Sequence, residues 1–268
     1  MGIVYGKDAA ISVDGAAEPT VDGWLINYTG NLVPYVASNT QGGTGRKCGN
    51  IDWEGWYRQY GTTPLAFPGQ SFAGIFSTDG TLGVSGTARC ESTDWYWDLD
   101  AGGYIIARTT FGANGALSLA GGVAVDSATP NPSCVKGLYV ALDGVQQDNV
   151  HKMRLRASRD LRRYVTAEND GQYMRTSGDL DMVGQWQVFE DDPSNYPTIQ
   201  AMHAVRFYVS STTYWEITWM RIESVEPFGV DRTDTRNPIG ATITASFTGF
   251  SGTQSGTVKN PAGSTVWP

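Results

Sequence analysis

The chain has 268 residues, a formal net charge of -8 at pH 7, 33 glycines, 12% aromatic and 17% charged residues. This acidic balance excludes a protein that grips nucleic acid through phosphate contacts, which need clustered Lys and Arg. Short runs of Thr, Ser, Val and Tyr broken by Gly, Asn, Asp and Pro predict an all-β fold, in one large domain or two of ordinary size.

In chain order, Met1 leads straight into "GIVYGKDAAISVDG" with no basic stretch followed by an apolar one, so the chain is expected to be made in the cytoplasm, without a membrane segment. Residues 1–20, like 250–268, are rich in Gly, Ala, Ser and Thr and read as arms that a partner orders. Strands follow at "GWLINYT" (23–29), "NIDWEGWYRQY" (50–60), "FAGIFST" (72–78), "GVSGTARCES" (83–92) and "GYIIARTTF" (103–111). Along the second of these, Ile51, Trp53, Gly55 and Tyr57 share one face, the period-two pattern of a strand buried on one side. After the turn-rich "DSATPNPSC" (126–134) come "KMRLRAS" (152–158), "DLDMVGQWQVF" (179–189), "HAVRFYVSS" (203–211), "WEITWMRIES" (215–224) and "GATITASFTGF" (240–250). "SRDLRRYVTAEN" (158–169) alone has a passable helical pattern. It and "GNLVPYVASN" (30–39), which contains Pro34, are read as strand or short turn.

Sliding the chain against itself by 129 residues places Val21 on Val150, Gly49 on Gly178, Asp52 on Asp181, Gly55 on Gly184 and Pro68 on Pro197, without a gap from 21 to 68. The offset then drifts: Phe76 meets Phe207 at 131, "ES" at 91–92 meets "ES" at 223–224 at 132, and Phe111 meets Phe247 at 136. Shared glycines and prolines imply a shared backbone path, because each marks a special φ or a rigid turn. The expected organisation is two similar β-sandwich or barrel domains in tandem, 1–128 and 129–268.

Chemistry is harder to find. "GGTGRK" lacks the spacing of a phosphate-binding loop, and there is no GxSxG elbow. His151 and His203 fall at unrelated places in the repeat. Asp94, Asp98 and Asp100 of "DWYWDLDAGG" lack the spacing of a calcium loop and read as a solvated acidic loop, with Trp95, Tyr96 and Trp97 as packing residues rather than a sugar platform. Cys48, Cys90 and Cys134 are widely spaced and read as reduced, mostly buried thiols; "NYT" (27–29) is a chance glycosylation sequon. No enzyme activity, metal or cofactor is expected. The first half carries twice as many acidic as basic residues, while the second concentrates Arg154, Arg156 and their neighbours. Arg154 and Arg156 are therefore candidate subunit-interface residues, meeting the acidic half of an adjacent chain.

"GNIDWEGWYRQYGTTPLAFPGQSFAGIFSTDG", followed by "GVSGTARCESTDWYWDLDAGGYIIARTTFGANGAL", resembles the domain of phage tail tube proteins: a Gly-flanked strand ending in aromatics, a Pro-containing connection, a Phe-rich strand and a closing strand. The resemblance covers most of 21–119 and, through the repeat, most of 150–250. It implies domains whose sheets join around a central pore in stacked rings, here three chains giving six quasi-equivalent units. The implied place is the virion tail. The implied partners are the chain itself, tape measure, tail terminator and distal tail proteins, and viral DNA that passes without specific binding. On this resemblance Asp52, Glu54, Asp181 and Gln185 are candidates to line the lumen. The loops 38–47 and 167–176 are candidates for ring-to-ring contact through Asn39, Gln41, Arg46, Lys47, Glu168, Asp170, Tyr173 and Arg175. Two alternatives stay open: a tail-tip or baseplate hub built on similar domains, and a carbohydrate-binding β-sandwich.

Overall fold

The computed structural model describes residues 10–36, 44–61, 66–78, 80–98, 104–123, 139–166, 168, 171–190, 193–228, 240–248, 250–251, 254–255 and 257–267. They are almost wholly antiparallel strand, as the composition predicts. The first half holds β1 (Ala10–Val13), β2 (Ala16–Ala17), β3 (Val21–Tyr35), β4 (Gly45–Tyr60), β5 (Ser71–Ser77), β6 (Leu82–Asp98) and β7 (Ile105–Gly121). The second holds β8 (Val140–Leu142), β9 (Val145–Gln147), β10 (Val150–Tyr164), β11 (Met174–Phe189), β12 (Met202–Tyr208), β13 (Tyr214–Phe228) and β14 (Gly240–Phe247). Short strands β15 (Phe250–Ser251), β16 (Gln254–Ser255), β17 (Val258–Lys259) and β18 (Thr265–Trp267) close the chain.

Both halves pair their strands in the same way. In the first, β1 pairs with β2 and β5, β3 with β4, β4 with β7, and β6 with β5 and β7. In the second, β8, β9, β10, β11, β12, β13 and β14 repeat that pattern in order. The β3–β4 and β10–β11 hairpins agree residue for residue at an offset of 129. Even their register shifts coincide, at Val21/Gly23 and Gly30/Leu32 in one and Val150/Lys152 and Arg159/Leu161 in the other. The shared glycines have a common cause. A Cβ on Gly49 would strike the carbonyl of Asn31, and one on Gly178 the carbonyl of Asp160, which is the same place in the repeat.

The drifting offset has a structural origin. Between offsets 131 and 132, β13 carries one extra residue as a bulge at Trp219, whose φ of 61° is unusual for a large side chain. One sequence alignment is corrected: Phe111 lies opposite Gly55 and Ala245 opposite Gly184, so the last strands correspond at 134. Phe247 is therefore not the counterpart of Phe111. Two hairpins escape the sequence reading. Asp14-Gly15 and Asp143-Gly144 both have positive φ (49° and 87°, 51° and 85°) and turn β1 into β2 and β8 into β9.

Each half folds β1, β5 and the start of β6, or their counterparts, over the β3–β4–β7 side. Trp53, Tyr57, Phe72, Phe76 and Phe111 interlock in the first core. Burial of each such ring contributes on the order of 2–3 kcal/mol. The second core gathers Met182, Trp186, Phe207, Trp215 and Ile243, and reaches across the junction to Trp95, Trp97 and Ile105 of the first half. The expectation of arms at both ends is revised for the described residues. Ile11 and Val13 are buried on β1, and Val258 is buried where β17 pairs with β13, in the place that the second half of β7 takes beside β6.

Candidate functional site

The halves meet by strand pairing. β10 lies antiparallel against the last part of β6, from Lys152 opposite Asp98 to Ser158 opposite Ser92. In sheet order β3, β4, β7, β6, β10, β11, β14 and β13 thus form eight consecutive strands, four from each half. Alternation sends Trp95, Trp97, Met153, Leu155 and Trp186 to the core side and leaves a polar opposite face. That face carries Asn27, Glu54, Thr110, Ser92, Arg156 and Asp181 on six successive strands, and all six line a single hollow of about 720 Å³. A second hollow of about 410 Å³ beside it is lined by Asp94, Arg108, Arg154 and Gln187 among others. A sheet hollowed across so many strands is concave on its polar side.

The charges on this face are balanced. Arg154 binds both carboxylate oxygens of Asp94, and this hydrogen bonding raises the guanidinium pKa further. Lys152 lies 3.3 Å from Asp98, which also accepts the Tyr96 hydroxyl at 2.9 Å. Arg58 donates to Asp22 at 2.8 Å, and Arg108 stacks 4.6 Å over the Trp56 ring. Cations held this way are less available to phosphates than a bare basic patch.

On the same side of β4 as Glu54, where Arg175 covers Gly112, the halves are locked by a buried ion pair. Arg175 of β11 presents its fork to Asp52 of β4, with both N–H···O distances 2.9 Å, and gives a third hydrogen bond to the Ala113 carbonyl at 2.8 Å. Arg163 reaches the same carboxylate at 3.2 Å from a more exposed position. Backbone pairing adds to the lock: Ile51 N–H donates to Gly171 and Tyr173 N–H donates to the Ile51 carbonyl.

The sequence-derived candidates divide accordingly. Glu54, Asp181 and Gln185 share the concave face, Gln185 donating to Thr244 at 3.4 Å. Asp52 is a correction: with 8% exposure and its carboxylate held by Arg175, it faces the junction rather than open space. Arg175 is a second correction, being 5% exposed within the chain, and Tyr173 likewise turns to the junction, its hydroxyl accepting from Asn50. Arg154 meets an acidic strand as expected, but that strand is β6 of its own chain; Arg156 lies opposite Asp94 in the same pairing. Arg46, Lys47 and Glu168 are exposed. Asn39, Gln41 and Asp170 lie outside the described residues, as do Asp100 and Cys134. Arg163 belongs to the basic cluster around Arg154 and Arg156 in the sequence, but only a known partner for Asp52 could have singled it out.

Trp95 and Trp97 are wholly buried, which leaves Tyr96 as the one exposed ring of that trio. His203 Nδ1 sits 2.7 Å from Asp143, and His151 stacks on Phe189. Burial pushes the Cys90 thiol up to about 12. Among the described residues no group of three metal-binding side chains converges, and no helix is long and apolar enough to cross a membrane. No protein-family model matches the chain, and no curated protein matches it.

Proposed function

We propose that this chain is a tandem duplication of one domain and serves as the structural subunit of a phage tail tube, assembling as trimeric, pseudo-hexameric rings whose concave polar faces enclose a DNA channel. The observation that carries the reading is the eight-stranded sheet built equally from both halves, apolar behind and polar and charge-balanced in front. At a strand spacing of ~4.8 Å, three such sheets edge to edge would give a wall on the order of 37 Å across before strand tilt widens it. Two sheets would close at roughly 25 Å on the same count, a narrower channel once side chains from opposing walls are added. Three chains therefore give the roomier channel for a DNA duplex. The face lets DNA slide because its cations are largely engaged by Asp94, Asp98, Asp22 and Trp56.

Negative-stain electron microscopy of the purified protein tests this reading. Long tubes of identical rings are the expected result. A single discrete ring would favour the tail-tip role, and a stable glycan-binding monomer would refute the tube.

A further inference from the structure

The junction inside the chain has an uncovered counterpart at each end of the sheet. At one end, β13 pairs with β12 only as far as Arg221, so beyond the bulge its Ser224–Phe228 stretch pairs with β14 on one edge and, among the described residues, with nothing on the other. The matching edge of β6 is the one that takes β10. At the other end, β3 is the counterpart of β10 and, among the described residues, pairs with β4 alone.

Both ends carry chemistry that matches the junction. On β10, Met153, Leu155 and Ala157 are 1%, 0% and 0% exposed, in the core that Trp95 and Trp97 of β6 join. Their counterparts on β3 are Trp24 and Ile26, half-buried, and Tyr28, 56% exposed. Among the described residues, close to half of the large exposed hydrophobic side chains lie in this one segment, including Leu25, Leu32, Val33 and Val36. A long apolar edge strand is a template for pairing with another chain. The ion pair is mirrored as well. Asp181 stands on β11 where Asp52 stands on β4, and Arg46 stands on β4 where Arg175 stands on β11. Both are exposed, with no ion pair among the described residues.

We propose that β13 of one copy of this chain pairs antiparallel with β3 of a second copy, from Ser224 opposite Thr29 to Phe228 opposite Leu25, and that Asp181 of the first takes the Arg46 guanidinium of the second. The inference rests on the self-assembling reading above and gives it a strand register. In this register Asn27 and Glu226 meet on the concave face, while Tyr28 meets Val225 on the core side, where Val225 already packs against the second core. Pro227 falls opposite Ile26; having no N–H, it removes at most one ladder bond relative to the intrachain junction. Because β3 and β13 are different surfaces, the contact repeats head to tail and either closes a ring or winds a filament.

Charge reversal and cross-linking test the register. Asp181→Arg and Arg46→Asp are each expected to raise the concentration needed for assembly at least tenfold, and the double variant to recover it, with circular dichroism and Tm unchanged because both positions are exposed. In a Cys48→Ser, Cys134→Ser background, Asn27→Cys mixed with Glu226→Cys is expected to give an oxidised heterodimer, while Asn27→Cys mixed with Ser224→Cys, two residues out of step, gives at least tenfold less. If the wild type assembles but the double variant does not recover, or both mixtures cross-link equally, the register is refuted and the tube reading stands. A wild type that stays monomeric at every concentration refutes both.

Discussion

Replacing Arg175 with Met isolates the lock between the halves. The Arg175 and Asp52 side chains are 6% and 11% exposed, the guanidinium binds both carboxylate oxygens, and a third N–H caps the Ala113 carbonyl. Removing one partner of such a buried pair leaves the other charge without compensation and costs about 3–5 kcal/mol. For a chain of this size that lowers Tm by on the order of 10 °C. Arg163 provides the internal control: it binds the same carboxylate, but its side chain is 59% exposed, so Arg163→Met should cost no more than about 1 kcal/mol. The Asp52→Leu, Arg175→Met double variant should recover much of the loss, because an apolar pair of similar volume carries no stranded charge. Thermal unfolding followed by tryptophan fluorescence reads all four proteins. Equal losses for Arg175→Met and Arg163→Met, or a double variant no better than the single, would refute the reasoning.

Gly184→Ala should cost about 1–3 kcal/mol by driving a methyl group into the Phe207 ring, whereas Gly121→Ala, with nothing within 4 Å, should leave Tm unchanged. Burial raises the Glu216 carboxyl pKa, but hydrogen bonds from Arg206 and Lys259 outweigh that and hold it below its ordinary 4.5. Its stabilisation of β17 is therefore full above pH 4.5 and lost as pH falls through the lower folded value. Hydrogen exchange around Val258 should accelerate in that acid range for the wild type and show no such step for Glu216→Gln. Cys90, buried and with its thiol pKa pushed up to about 12, should resist iodoacetamide at pH 8 in the folded protein and react in urea, as mass spectrometry would show.

Much of the fold is legible from strand alternation. Trp53 and Tyr57 point inward as the spacing of "NIDWEGWYRQY" requires, and the glycine pairs mark carbonyls that approach too closely for a side chain. The hairpins at Asp14-Gly15 and Asp143-Gly144 were not read from the sequence, although Asp-Gly after an apolar run is a strong turn signal. Phe111 and Phe247 share a letter but not a place, because two extra residues precede β14 beyond the bulge at Trp219. Polar identities were the least legible. Asp52 and Asp181 occupy equivalent positions, yet one is buried against Arg175 and the other exposed. Only the β6–β10 pairing, a contact between distant parts of the chain, separates their fates.

The most direct test of the account is the rotational symmetry and chain count of an assembled ring, measured by averaging end-on cryo-electron microscopy views together with the mass of one ring. The account requires three chains per ring and a strong six-fold modulation with a weaker three-fold one, around a channel wide enough for a DNA duplex. A ring of six chains, or a protein that never leaves the monomeric state, would contradict it.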